Sequence, residues 1–145
     1  MLDLSSGRSL RTETPYLSSA MDTPKNILIV EDEALIAGLL SNSLKRSGYE
    51  VTNATTAEDA LSEMRTTAFD VILLDLVLAG MHGFDFLRAI KQDKRFRHIP
   101  VIITSNMGDE SEIQKGLALG AASYIVKSNV LPSDIVVAVA KAVSP

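Results

Sequence analysis

The sequence predicts an α/β domain, an open doubly wound sheet of five parallel strands carrying five helices. Two observations lead there. From Asn26 onward, short apolar runs alternate with longer amphipathic stretches, and turn-forming residues join them. Two of those runs, Ile27-Leu28-Ile29-Val30 and Val71-Ile72-Leu73-Leu74, are apolar without interruption, as strands buried on both faces are.

The strands are expected near 26–30, 49–53, 70–75, 100–104 and 122–126, with helices at 33–47, 57–66, 84–94, 109–119 and 133–143. On the first helix, Ile36, Leu40 and Leu44 recur at the spacing of one sheet-facing stripe. Leu35 and Leu39 lie at the edge of that stripe, either as peripheral core or as a docking patch for a partner helix. Gly48 and Gly120 follow the first and fourth helices, where a left-handed closing residue is favoured. Pro100 stands at the entry to its strand, a place a sheet tolerates. Pro132 and Ser133 open the last helix. That helix, Asp134 to Lys141, is apolar nearly all round, so a partner or a second copy forming a homodimer is expected to cover its outer side.

The chain has 145 residues, 46% of them apolar, with neither Cys nor Trp, which describes one domain with a sizeable core. Residues 1–24 are rich in Ser and Thr and are expected to form a disordered N-terminal tail, leaving 25–145 as the domain. No apolar stretch approaches the roughly 20 residues that cross a bilayer. With a net charge of −4 and its cations scattered except for Lys91-Gln-Asp-Lys-Arg-Phe-Arg97, which itself contains an acid, the chain is not expected to bind nucleic acid directly. Without Cys, disulfides and thiolate metal sites are excluded, and a hard, oxygen-ligated ion remains open. This usage is compatible with a reducing, cytoplasmic setting.

Acids end both apolar runs: Glu31 and Asp32 after the first, Asp75 after the third strand. Ligands in open α/β sheets collect at the carboxyl ends of the strands, so these three carboxylates are expected to converge. Like charges held that close repel and drive at least one pKa upward unless a cation compensates, which points to a divalent metal. A lone acid at such a position more often caps the following helix. Two acid-ended strands weaken that explanation.

In order and spacing, ILIVEDE (27–33), VILLDLVLAGMHG (71–83), VIITSN (101–106) and ASYIVK (122–127) resemble the receiver domain of two-component response regulators, including its single-domain chemotaxis type. The likeness spans residues 26 to 143. It implies a flavodoxin-like sheet of order 2-1-3-4-5. It also implies that Asp75 accepts a phosphoryl group from a histidine kinase or histidine phosphotransfer protein. Asp32 would ligate Mg²⁺ directly, Glu31 through water, and the carbonyl of Val77 would add an oxygen beside Asp75. Lys127 would pair with Asp75 and then with a phosphoryl oxygen. Thr104 would bond another such oxygen and draw in the loop after it, letting Tyr124 rotate. The altered surface would bind a downstream protein target, so the chain is expected to act as a switch rather than as an enzyme.

Three positions depart from the family pattern. Ala79 stands where Pro is usual, Ser128 replaces the Pro that follows the lysine, and His82 occupies a place where an acid is common. His82 reads most simply as a solvent-facing loop residue. Two other functions compete with the switch. A phosphatase with an Asp nucleophile would want a second Asp at position 77, where this chain has Val77. A pseudo-receiver would bind partners constitutively, without phosphorylation, although Asp32, Asp75, Thr104 and Lys127 are all present.

Overall fold

A computed structural model describes residues 23–144, so the expected tail lies almost wholly outside the described residues. The strands are β1 (Asn26–Val30), β2 (Glu50–Ala54), β3 (Val71–Asp75), β4 (Val101–Ser105) and β5 (Ser123–Val126). Between and after them run α1 (Ala34–Arg46), α2 (Ala57–Thr66), α3 (Gly83–Gln92), α4 (Glu110–Ala118) and α5 (Pro132–Val143). All strands are parallel, in the order β2-β1-β3-β4-β5. The α/β architecture with five strands and five helices is therefore the one the sequence predicts.

Strand periodicity sorts the core into two layers, because successive side chains point to opposite faces. On one face Ile27, Ile29, Val71, Leu73 and Ile102 pack against Leu40 and Leu44 of α1 and Ile135 and Val139 of α5. On the other, Leu28, Val30, Ile72, Leu74, Val101 and Ile103 meet α2 and α3 through Ala60, Met64, Phe84, Leu87 and Ile90. The stripe expected on α1 forms, with Ala37 buried beside it. Leu35 and Leu39, by contrast, are 78% and 53% exposed, which removes the peripheral-core reading.

Element boundaries differ from expectation where local chemistry intervenes. The third helix stops at Gln92, not 94, because Asp93 turns extended and its carboxylate accepts bonds from Arg95 N (2.9 Å), Nε (3.1 Å) and one terminal guanidinium nitrogen (2.7 Å). The last strand ends at Val126, and Lys127–Asn129 wind into a short 3₁₀ turn that the sequence did not suggest. The last helix begins at Pro132 itself, and Asp134 Oδ2 accepts the Leu131 N–H at 2.8 Å. Gly48 and Gly120 have φ of 97° and 108°, the left-handed closures expected after α1 and α4.

Candidate functional site

The two-residue strand period carries four polar side chains to one place. Glu31 continues the series Ile27, Ile29; Asp75 continues Val71, Leu73; Thr104 follows Ile102. Lys127 lies two residues beyond Ile125, which packs on the same layer. Register aligns them across the sheet, since Val30 stands beside Leu74, Asp75 beside Thr104, and Thr104 beside Ile125. The acids, Thr104 and Lys127 therefore gather over the carboxyl ends of β1, β3, β4 and β5, on the α1/α5 side.

Carboxylate oxygens of Glu31, Asp32 and Asp75 lie within 4.8 Å of one another. Glu31 and Asp75 are buried, whereas Asp32 faces solvent. None of the three caps a helix: the N-cap of α1 is Glu33, that of α3 is His82, and only His82 supplies a capping side chain. The convergence expected from the sequence is thus present, and the helix-capping reading fails.

Lys127 Nζ lies 2.7 Å from Glu31 Oε1 and 3.5 Å from Asp75 Oδ2. The Val77 N–H donates to Asp75 Oδ1 at 3.3 Å, folding the chain after β3 back over the site. Burial pushes the Asp75 carboxyl up from 3.8 to about 6, Lys127 pulls it down, and the charge on Glu31 adds to the rise. The Thr104 hydroxyl is buried and forms no hydrogen bond among the described residues.

Crowded, hard oxygen donors beside a carboxylate of raised pKa suit a small divalent cation, which takes several oxygens and keeps waters of its own. Glu31, Asp32, Asp75 and the Val77 carbonyl are the candidate holders.

Tyr124 lies on the other layer, against Phe84 and Ile103, rather than beside Asp75. Its hydroxyl donates to the Met107 carbonyl at 2.6 Å, and the Met107 N–H donates to Ser105 Oγ at 3.1 Å. The backbone that leaves Thr104 is therefore bonded to Tyr124. Gly116 of α4 makes room for that ring, since a Cβ there would fall 2.7 Å from Ile103 Cδ1 and 3.1 Å from Tyr124 Cδ2.

Other supports were not legible in the sequence. The Asn53 side-chain amide donates to the carbonyls of Ile29 (3.0 Å) and Glu31 (3.3 Å), fixing the end of β1. His82 is exposed, as expected, yet its Nδ1 accepts the Phe84 N–H at 3.1 Å. Gly83 is buried against the turn after Asp75, its N–H bonded to the Leu76 carbonyl at 2.9 Å.

The response regulator receiver domain model matches residues 27–140. This chain belongs to that family. Receiver domains are signalling switches of two-component systems, generally not enzymes. The phosphate regulon transcriptional regulatory protein PhoB of Escherichia coli is 34% identical over 103 residues, covering 71% of this chain and 45% of its own length. The alkaline phosphatase synthesis transcriptional regulatory protein PhoP of Bacillus subtilis is 36% identical over 103 residues, covering 71% of this chain and 42% of its own. The chain thus spans less than half the length of these relatives. Among solved structures, chemotaxis response regulator CheY4 of Vibrio cholerae superposes with a TM-score of 0.77 at 28% identity, over 83% of this chain and 99% of that one. A putative response regulator from Chloroflexus aurantiacus reaches 0.79 at 28% identity, over 85% and 100%. The receiver's strand order, β2-β1-β3-β4-β5, is flavodoxin-like, and the superpositions run over nearly the whole of both neighbour chains. Among the described residues, no helix is long and apolar enough to cross a membrane.

Proposed function

We propose that this receiver is a phosphorylation-dependent switch whose phosphoacceptor is Asp75. The observation that carries the reading is a buried carboxylate at a strand end, flanked by an ammonium at 3.5 Å and by two more acids, beside the buried Thr104 hydroxyl, which has no hydrogen bond among the described residues. A carboxylate oxygen of Asp75 attacks the phosphorus of a phosphohistidine on a histidine kinase or histidine phosphotransfer protein. The new O–P bond forms as the N–P bond breaks, and the electron pair stays on the imidazole nitrogen, which takes up a proton.

Phosphoryl transfer asks chiefly for alignment and for neutralisation of charge on the equatorial oxygens. Lys127 meets one such oxygen and the Thr104 hydroxyl another. Mg²⁺ would be held by Asp32, Asp75 and the Val77 carbonyl, with Glu31 reaching it through water, and would supply the remaining positive charge. The new charge draws the 105–107 loop toward Asp75, and Tyr124 moves with it through its bond to Met107. Residues 25–145 form the responding domain, and its partners are proteins rather than nucleic acid. Exposed Leu35 and Leu39 on α1 are the proposed seat of the phosphodonor's helix. On α5, Val137 is 54% exposed, which fits a second copy or the downstream target there. A cytoplasmic location follows from partnership with kinases of this class.

Acetyl phosphate with Mg²⁺ tests the reading. Intact-mass measurement is expected to find one added phosphoryl group on the wild-type protein and none on Asp75→Asn. Failure of the wild type to label, with acetyl phosphate and with a donor kinase alike, would leave the pseudo-receiver.

A further inference from the structure

We propose that Glu31 is a latch on Lys127: in the unphosphorylated receiver it holds the ammonium that the phosphoryl group must later claim. The inference rests on the phosphoacceptor reading above and adds to it a residue that sets how readily Lys127 changes partner. Its basis is the order of distances around one ammonium. Lys127 Nζ is 2.7 Å from Glu31 Oε1, hydrogen-bonded to it, and 3.5 Å from Asp75 Oδ2, beyond a good hydrogen bond.

The latch is built rather than incidental. The Glu31 side chain is 2% exposed and that of Lys127 13%, so this pair is poorly screened by solvent. The second carboxylate oxygen, Oε2, accepts the Glu33 N–H at 3.3 Å, which fixes the rotation of the group. The backbone of Glu31 is pinned from β2, its N–H bonded to the Ala54 carbonyl at 3.0 Å and its own carbonyl accepting from Asn53 at 3.3 Å. Position 31 therefore cannot slide to adjust its reach. One C–C bond spans about 1.5 Å, so an Asp at this position would leave the 2.7 Å contact open by about that amount. Glutamate here spans to Lys127, whereas an aspartate on the same backbone would meet it only if Lys127 moved.

Two carboxylates thus share one ammonium, and the nearer holds it. Phosphorylation adds charge and three strong acceptor oxygens at Asp75, enough to draw the ammonium away from Glu31. Until then the latch keeps Asp75 incompletely compensated. Glu31 is accordingly a positioning residue acting through Lys127.

The test follows the Lys127 ammonium itself by ¹⁵N-selective NMR in metal-free, unphosphorylated protein. In the wild type its protons are expected to exchange slowly with water. Asp75→Asn should leave that signal in place, while Glu31→Gln and the charge-conserving Glu31→Asp should both release it. Release by Asp75→Asn with retention in both Glu31 variants would overturn the latch. Melting curves and amide spectra identify any variant that has lost the fold, and the two Glu31 substitutions guard each other. The second readout is the labelling rate with acetyl phosphate at saturating Mg²⁺, expected to rise several-fold in Glu31→Asp because Lys127 is already free. A fall in rate would overturn the proposed competition. A wild-type protein that never labels would refute the phosphoacceptor reading, and the competition with it, while the NMR comparison still decides the pairing.

Discussion

Replacing Asp75 by Asn is expected to make this domain more stable at neutral pH and to do so less and less as the pH falls. The carboxyl is buried and its pKa is raised, chiefly by burial, from 3.8 to about 6. A carboxyl that binds its proton more tightly when folded contributes stability that is fully present below its unfolded pKa and is lost as pH rises through its folded one. The relevant window is therefore pH 3.8 to about 6. Above it, the ionised group costs the fold about 3 kcal/mol, at about 1.36 kcal/mol per pH unit of displacement. Asparagine has the same shape without the charge, so it is expected to recover most of that amount.

The gain at pH 7.5 corresponds to a rise in Tm of roughly 10 °C for a domain of this size. Linkage cuts it to roughly half at pH 5 and to a small remnant at pH 4. Urea melts of wild type and Asp75→Asn across that range measure the difference directly. Adding Mg²⁺ at pH 7.5 should narrow the gap by stabilising the wild type, since the ion is proposed to compensate the carboxylate. A gap that does not change between pH 7.5 and 5, or a variant less stable than the wild type at pH 7.5, would refute the argument from desolvation.

Four other outcomes are expected. Lys127→Ala strands the buried Glu31 carboxylate and should destabilise the domain by about 3–5 kcal/mol, as loss of one partner from a buried ion pair does; urea melts at neutral pH measure it. Gly83→Ala places a Cβ 2.5 Å from Leu76 Cα and 2.9 Å from the Asp75 carbonyl oxygen. It should cost about 1–3 kcal/mol by overpacking and slow labelling of Asp75, seen in melts and intact-mass kinetics. Leu35→Ala with Leu39→Ala removes exposed side chains, so stability should stay within about 0.5 kcal/mol per site while transfer from a kinase, but not from acetyl phosphate, declines. Tyr124→Phe deletes the 2.6 Å bond to the Met107 carbonyl. It should cost about 1 kcal/mol and loosen amide-exchange protection at 106–109 with little change in labelling.

Most of the fold was legible because the deciding features are local and periodic. The uninterrupted runs 27–30 and 71–74 could only be strands covered on both faces, and the i, i+4 series on α1 named its buried side. The acid cluster was legible for a related reason, since strand ends in such a sheet lie together whatever their separation in sequence. What stayed hidden depends on side-chain reach across the sheet. That Lys127 sits nearer Glu31 than Asp75 cannot be read from positions 96 and 52 residues apart in the chain. Asn53 gave no signal, because a polar residue on an exposed edge strand looks ordinary until its amide meets the carbonyls of Ile29 and Glu31 at the end of β1. His82 was read from its surroundings as a loop side chain, and only the backbone geometry of α3 gives its ring nitrogen a bond to accept.

The site and the aromatic proposed to respond to it occupy opposite faces of the sheet, which constrains how one informs the other. Asp75 and Thr104 continue the face packed by α1 and α5, whereas Tyr124 lies in the layer with Phe84 and Ile103. A close-packed interior transmits strain but leaves its side chains little room to move within it. The open route is around the sheet's carboxyl edge. There the backbone leaving Thr104 is tied by Ser105 to Met107, and Met107 to the Tyr124 hydroxyl. On the proposed switch, a pull on the Thr104 hydroxyl would reach Tyr124 through residues 105–107, of which Ser105 is buried at the end of β4 and Asn106 and Met107 are exposed. Gly116 sets the far boundary, because the space its missing side chain leaves beside the ring is what lets α4 tolerate the ring against it. The proposed coupling would therefore run through the turn after β4, Ser105 to Met107, along bonds that join it to Tyr124.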